Sequence, residues 1–182
     1  LAAAFTGIPG PSLDQEGMPA YQGSHAVLSQ CATVKEAFGF IKTLKINFYG
    51  FSVLLGDAEG DMMLMEKNGY DTIVMPLQKD DFLQHTNHIL DAEFALKNPR
   101  QENSVDINGR RRFDNGFELL NQLSHSEVGM SEYLNNRSEC GAICQEGVDG
   151  LYSDYRAMFL PAQKKIIYWS DCSKDINEEY IL

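Results

Sequence analysis

The stretch INFYGFSVLLGDAEGDMMLMEKNGYDTIVMP, residues 46–76, decides the fold class. Ile46–Leu55 is rich in Phe, Tyr, Val and Leu, and the segment Gly-Asp-Ala-Glu-Gly that follows is typical of a turn. Asp61–Glu66 predicts a second strand, and Tyr70–Met75 predicts a third strand after an Asn-Gly turn. Residues 46–76 therefore predict an antiparallel meander of three strands.

Helical patterns flank this meander on both sides. Thr33 and Glu36 form a capping box, in which a hydroxyl caps the first turn and a carboxylate reaches back. Apolar residues then recur at helical spacing from Val34 to Leu44. A second clear helix is predicted over residues 110–124. Shorter helical segments are expected at Ser24–Ser29, Asp91–Lys97 and Met130–Leu134.

The remaining strands lie towards the two ends of the chain. Leu1–Ile8 predicts a strand, Leu151–Leu160 and Lys165–Ser170 predict a hairpin, and the acidic tail from Asp171 is expected to be exposed. Strands follow one another in hairpins and do not alternate with helices. The sequence therefore predicts an α+β fold with a mostly antiparallel sheet, in a single domain over residues 1–182.

Composition and charge exclude several classes of function. Apolar residues make up 43% and charged residues 23%, which is typical of a globular protein. A net charge of −11 argues against binding to nucleic acid and to an anionic membrane. The sequence has no run of 18 uncharged apolar residues, so no membrane-spanning helix is predicted. The four cysteines are too few for a disulfide scaffold, so we expect reduced thiols and favour the cytoplasm.

Two patterns superficially resemble metal sites. His85 and His88 are three residues apart, but a metal site needs a third ligand, and no matching cluster is evident. Asp57-x-Glu59-Gly60-Asp61 lacks the full spacing and the terminal bidentate Glu of a calcium loop. We interpret it as a hairpin turn. No metal and no cofactor is expected.

Two further segments carry side chains suited to an anionic intermediate. Arg110, Arg111 and Arg112 are predicted to open the second helix, where the helix dipole disfavours three cations. They form a solvated basic patch, or one of them turns into a cleft to hold a carboxylate or stabilise a thiolate. Asn87, in a Thr-Asn-His segment, could present its amide to a developing oxyanion, although Thr-Asn is a common loop dipeptide.

Taken in order, these segments resemble the linear-amide C–N hydrolases of the N-terminal nucleophile (Ntn) superfamily. The branch is that of choloylglycine hydrolases, V-type penicillin acylases and isopenicillin N acyltransferase-like enzymes. The resemblance covers most of residues 25–170. It rests on Thr33–Ala37, Leu54–Asp61 followed by Met65-Glu66, Thr86–His88, Arg111–Phe113 and the hairpin Tyr155–Trp169.

The resemblance implies both a fold and a chemistry. The fold is a four-layer αββα sandwich, and the reaction is amide hydrolysis or acyl transfer through a thioester on an N-terminal cysteine, whose α-amine is the base. The T-N asparagine, here Asn87, would help to bind the oxyanion. The family's arginine, best matched by Arg112 and next by Arg111, would stabilise the site and the thiolate. A small-molecule amide is the implied substrate; bile-salt conjugates, penicillins, acyl amino acids and small peptides all fit.

The start of the chain departs from that family. Leu1 is not a nucleophile, and no cysteine lies near it. We therefore expect the C-terminal two-thirds of such an enzyme, with the nucleophile in a missing N-terminal segment, and a homo-oligomer or association with that segment. Whether the chain is itself an enzyme stays open. One alternative is a non-catalytic binding or assembly domain on the same scaffold. Another is a thiol enzyme that pairs Cys140 or Cys144 with His85 or His125.

Overall fold

The computed structural model describes ten segments of the chain, residues 1–8, 17–46, 50–68, 71–76, 84–97, 104–138, 141–148, 151–153, 155–170 and 178–181. The chain divides into two compact units, Leu1–Asn103 and Ser104–Leu182. Both contain helices and antiparallel strands, which confirms the α+β class. The single-domain organisation stays a prediction. Gly69, Cys140, Cys172 and the start of the acidic tail at 171–177 lie outside the described residues.

The first unit is built on a four-stranded antiparallel sheet in the order β1-β2-β3-β4. The strands are β1 (Ala2–Ile8), β2 (Gly50–Gly56), β3 (Met62–Asn68) and β4 (Asp71–Pro76). The predicted meander is therefore confirmed, although Ile46 lies outside β2 and bridges Met18 instead. The register places Thr6, Ser52, Glu66 and Ile73 in one row across the four strands.

Helices cover one face of this sheet. These two helices are α1 (Ala20–Gln30) and α2 (Val34–Thr43). A shorter helix, α3 (Ala92–Lys97), comes after the sheet in the chain. The capping box that opens α2 is confirmed. Thr33 Oγ1 accepts from the Glu36 N–H at 3.2 Å, and Glu36 Oε2 accepts from the Thr33 N–H at 3.2 Å. The helix predicted at Ser24–Ser29 is longer in the structure, as α1.

The apolar core of this unit lies between the helices and one face of the sheet. Buried residues of α1, α2, β2 and β3 meet there, among them Val27, Ala37, Ile41, Phe51, Val53, Leu55 and Met65. Side chains alternate along a strand, so Ser52 and its cross-strand partner Glu66 face the opposite side of the sheet. Both are fully buried, at 1% and 0% exposure. The face away from α1 and α2 therefore carries buried polar groups.

The Asp57 carboxylate ties the β2–β3 turn to the start of α2. It accepts the Val34 N–H at 2.9 Å and the N–H groups of Glu59 and Asp61 at 3.1 Å each. Burial alone raises the pKa of Asp57, but these three donors outweigh it and hold the pKa below its ordinary value. The predicted hairpin turn at residues 57–61 is thereby confirmed.

Asp57→Asn should destabilise the first unit by about 1–3 kcal/mol, since the new amide NH₂ faces an N–H donor. The folded pKa of Asp57 is depressed, so its contribution is present above the unfolded pKa and is lost as pH falls through the folded pKa. Urea unfolding at several pH values should thus show the gap between wild type and variant narrowing below about pH 4. Asp61→Asn, an exposed carboxylate of the same turn, should stay within about 0.5 kcal/mol.

Lys67 is a fully buried lysine on β3. It pairs with Phe51 across the sheet, and its Nζ donates to Thr72 Oγ1 at 3.1 Å. Burial lowers the pKa of Lys67 to about 8, although the charge of Asp71 opposes this change. Holding a cation at this position therefore costs folding free energy at neutral pH.

Lys67→Met should change how stability depends on pH. Between about pH 8 and the ordinary lysine pKa of 10.5, the unfolded lysine holds a proton that the folded lysine has lost, so wild-type stability rises with pH. Denaturant titrations from pH 7 to 10 should show this rise in wild type and a flatter profile in the variant. Lys35→Met, at an exposed position on α2, should keep the wild-type slope. A slope unchanged by Lys67→Met would contradict the assignment.

Among its described residues, the second unit has two α-helices, a short 3-10 helix at Pro161–Gln163 and two small sheets. The helices are α4 (Ser104–Gln122) and α5 (Glu127–Leu134), and the strands are β5 (Glu146–Val148), β6 (Leu151–Tyr152), β7 (Tyr155–Leu160), β8 (Lys165–Ser170) and β9 (Glu178–Ile181). β5 pairs with β6, and β7, β8 and β9 form the other sheet in that order. The core of the second unit contains Met158, Ile167 and Trp169, and Met130 and Leu134 of α5 pack against them.

The structure corrects three predictions in this unit. The helix predicted from residue 110 begins at Ser104 in the structure. The sequence does not reveal its first turns, because their buried residues, Asp106 and Asn108, are polar and form no apolar stripe. The three arginines therefore lie inside α4 and not at its positive end. The strand predicted over Leu151–Leu160 is two strands in different sheets. The tail residues Glu178–Ile181 are exposed as predicted, but they form β9.

No helix among the described residues is long and apolar enough to cross a membrane.

Candidate active site

The segment that carries Asn87 is a loop without regular secondary structure over residues 84–91. It contacts three strands of the first sheet. His85 contacts Ser52 on β2 and Glu66 on β3, and Asn87 contacts Gly7 on β1. The loop therefore lies over the sheet face that carries Ser52 and Glu66.

Glu66 is the main anchor of this loop. Its Oε1 accepts the Leu90 N–H at 2.7 Å and lies 3.2 Å from His85 Nε2, while its Oε2 accepts the Asp91 N–H at 3.3 Å. A fully buried carboxylate is costly unless it is hydrogen-bonded on this scale. The three groups come from both sides of Asn87, so one side chain holds both ends of the loop.

His85 occupies the same buried pocket, with its side chain 5% exposed. Its Nε2 lies 2.7 Å from Ser52 Oγ as well as 3.2 Å from Glu66 Oε1. Its Nδ1 is buried without a hydrogen-bond partner among the described residues. A catalytic serine triad places the hydroxyl and the carboxylate on opposite ring nitrogens, and here they share one. This arrangement therefore does not activate Ser52 as a nucleophile. Instead, Ser52, His85 and Glu66 hold the loop at residues 84–91 against the sheet, and we call these three side chains the clamp.

Asn87 is the most accessible residue of its motif. Thr86 and His88 are buried at 5% and 6% exposure and bind each other, Thr86 Oγ1 to His88 Nδ1 at 2.8 Å. Asn87 is half-buried, and its Nδ2 donates to the Gly7 carbonyl at 3.0 Å. The two buried neighbours therefore present an oriented amide at the sheet, beside β1.

His85 and His88 lie side by side in the loop. Their rings stack with centroids 6.4 Å apart, and His85 Nε2 and His88 Nδ1 are each taken by protein groups. In the segments that the structure describes, no three His, Cys, Asp or Glu side chains are grouped to hold a metal ion.

The structure separates the three arginines of α4. Arg112 is half-buried, and its Nε donates to Asn108 Oδ1 at 2.8 Å. The buried Asn108 in turn donates to Gln145 Oε1 at 3.2 Å. Burial lowers the pKa of Arg112, and the nearby Tyr133 opposes this; burial also raises the pKa of Tyr133 to about 12. The hydrogen bond to Asn108 thus orients the Arg112 side chain.

Arg111 contacts Gly141 through its backbone. Its side chain is exposed, as is that of Arg110. The Arg111 carbonyl is covered by Gly141, which has φ +81° and where a Cβ would lie 2.2 Å from the Arg111 oxygen. The geometry therefore favours Arg112 as the ordered cation. Asn87 belongs to the first unit and the arginines to the second, so their convergence on one cleft stays a prediction.

Arg112→Ala should cost about 1–3 kcal/mol of stability, because it removes a half-buried guanidinium and leaves Asn108 without that donor. Arg111→Ala should change stability by less than about 0.5 kcal/mol, since the side chain is exposed and the contact with Gly141 is to backbone. Chemical denaturation of both variants checks this, and equal losses would contradict the assignment.

The cysteines differ from the sequence expectation. Cys144 is buried and disulfide-bonded, so the predicted reduced state is wrong for it. Cys31 is a free thiol, whose pKa is raised by burial and by the charge of Glu36. His125, one of the two histidines considered as a partner for a catalytic thiol, has its Nε2 3.0 Å from the Leu120 carbonyl oxygen. A thiol enzyme that uses Cys144 is therefore excluded, because a disulfide sulfur is not a thiolate nucleophile.

The clamp of Ser52, His85 and Glu66 was not identified from the sequence. One signal was present: Glu66-Lys67 continues a strand directly after Leu64 and Met65, which are buried, and charged side chains at such a position need partners. Ser52 carries no such signal, because its partner is 33 residues away in the chain. The sequence marks His85 only by its metal-like spacing to His88.

The family model described as acyl-coenzyme A:6-aminopenicillanic acid acyl-transferase matches residues 1–165. The chain belongs to this family. The family lies in the Ntn-hydrolase-like superfamily, which confirms the superfamily predicted from the sequence. A search of curated proteins found no match. The match includes Asn87 and its loop as well as Arg111 and Arg112.

Proposed function

We propose that this protein cleaves or transfers the acyl group of a small-molecule amide, through a thioester on a cysteine outside these 182 residues. Membership of the acyltransferase family supports an acyltransferase or amide hydrolase type of activity. The observation that carries the residue-level proposal is the Asn87 amide, oriented by Gly7 between two buried neighbours.

The proposed reaction has two steps. The cysteine thiolate attacks the amide carbonyl carbon, a C–S bond forms, and the carbonyl electron pair moves to oxygen. The C–N bond then breaks, and the amine leaves with a proton from the cysteine α-ammonium group. Water, or a second amine, attacks the thioester and releases the acid, or a new amide, with the thiol. In both steps Asn87 donates a hydrogen bond to the oxyanion.

Arg112 is the proposed cation of the site, with Arg111 as the weaker candidate. A guanidinium stabilises a thiolate or a carboxylate without being deprotonated. The hydrogen bond from Arg112 Nε to Asn108 orients the guanidinium, which favours such a role. The exposed Arg111 lacks this support.

Asn87→Ala in the full-length gene product should lower kcat by about 10²–10³, since one oxyanion donor is lost. The assay follows amine release from acyl amino acids, penicillins and bile-salt conjugates, and acyl transfer from acyl-coenzyme A. Asn121→Ala is the matched control, because Asn121 is exposed and its Nδ2 also donates to a backbone carbonyl, that of Phe117 at 2.9 Å. Equal effects of the two variants would overturn the role of Asn87.

The alternative, a non-catalytic binding or assembly domain on this scaffold, is separated by the native N-terminus. Intact mass and N-terminal sequencing of the protein from its source should reveal a preceding segment, or a separate peptide, that begins with cysteine. A native chain that begins near Leu1 and turns over none of the substrates would favour the alternative.

The compartment and the assembly of the protein are proposed from its disulfide and its edge strands. The sequence favours the cytoplasm, whereas the disulfide at Cys144 favours an oxidising compartment, where such bonds persist. A homo-oligomer, or association with the segment that carries the nucleophile, is proposed because β1 and β4 are edge strands of their sheet as described.

A further inference from the structure

We infer that Glu66 and His85 are positioning residues for Asn87: together they clamp the loop at residues 84–91 onto the sheet and fix the asparagine amide. The inference deepens the proposed function and rests on it for its kinetic test. The clamp itself is testable without any activity.

The geometry of the clamp brackets Asn87. Glu66 binds His85 two residues before it and the N–H groups of Leu90 and Asp91 three and four residues after it. Asn87 has its own hydrogen bond to Gly7 on β1. The loop has no helix or strand hydrogen bonds to define its shape, so these side-chain contacts with β2 and β3 define it instead.

Only one nitrogen of His85 takes part in the clamp. Nε2 contacts Ser52 and Glu66, while Nδ1 has no hydrogen-bond partner in the segments that the structure describes. The amide nitrogen of glutamine reaches about as far from the backbone as Nε2, and that of asparagine about as far as Nδ1. His85→Gln should therefore keep the donor to Glu66, and His85→Asn should lose it.

The chain offers a matched control for Glu66. Asp57 is another buried carboxylate of the same unit, and it also binds two or more backbone N–H groups. None of its donors belongs to the loop at residues 84–91. Glu66→Gln and Asp57→Asn make the same chemical change, but only the first removes an anchor of Asn87.

The first experiment is NMR of the folded protein and these variants. In Glu66→Gln and His85→Asn, the Asn87 side-chain amide signals should move towards those of a solvated asparagine, and the Leu90 amide should exchange about 10-fold faster or more. His85→Gln and Asp57→Asn should leave the Asn87 amide signals in place. In both, the Leu90 exchange rate relative to that of the core amides of the first unit should stay within about threefold of the wild-type ratio, so that any general loss of stability cancels. Unmoved Asn87 signals in Glu66→Gln would overturn the inference.

The second experiment measures kcat and KM of the full-length gene product. Glu66→Gln and His85→Asn should lower kcat about 10- to 100-fold and leave KM within about threefold, since a misplaced donor weakens transition-state binding. His85→Gln should restore kcat to within about threefold of wild type. Equal losses in His85→Gln and His85→Asn, or in Glu66→Gln and Asp57→Asn, would indicate general destabilisation and overturn the inference.

The two experiments fail separately. If the wild-type protein turns over no amide or acyl donor, the proposed function fails, and the NMR comparison still decides whether Glu66 and His85 hold Asn87. If the wild type is active and the NMR signals stay unmoved, the proposed function stands and the clamp does not.

Discussion

The first unit depends on the burial of the Glu66 carboxylate in the middle of a sheet. A carboxyl group at 0% exposure is tolerated only when its oxygens are hydrogen-bonded. Neighbouring strands use their backbone groups for the sheet itself, so the donors have to come from elsewhere. The loop at residues 84–91 supplies them, and its path across the sheet follows from that requirement.

The same principle operates at the end of the β2–β3 hairpin. Asp57 is buried there and is satisfied by N–H groups from the turn and from the start of α2. One carboxylate thus fixes a helix to one end of the hairpin, and the other fixes a loop across the opposite face of the sheet. Apolar packing holds the helices against the sheet, but it carries no directional information about a loop. Hydrogen bonds to buried charges supply that direction.

Local signals explain which parts of this structure could be predicted from the sequence. The capping box of α2 and the β2–β3–β4 meander depend on residues close in the chain, and both were predicted. The early start of α4 was missed because its first buried residues, Asp106 and Asn108, are polar. The family resemblance points to Asn87 and Arg112, whereas the contacts of Ser52 and His85 join segments that are distant in the chain. Such contacts become visible only when the register of the strands is known.

The burial pattern of the Thr-Asn-His motif argues for a preorganised site. A half-buried amide between two buried, mutually bonded neighbours has little freedom to reorient when a substrate arrives. Oxyanion stabilisation is effective when its donors are fixed before charge develops, since no reorganisation is then needed during the reaction. A loop held by Glu66, and not by repeating backbone hydrogen bonds, meets this condition while leaving Asn87 accessible. The structural cost of a buried charge and the proposed catalytic role of an asparagine are thus two aspects of one arrangement.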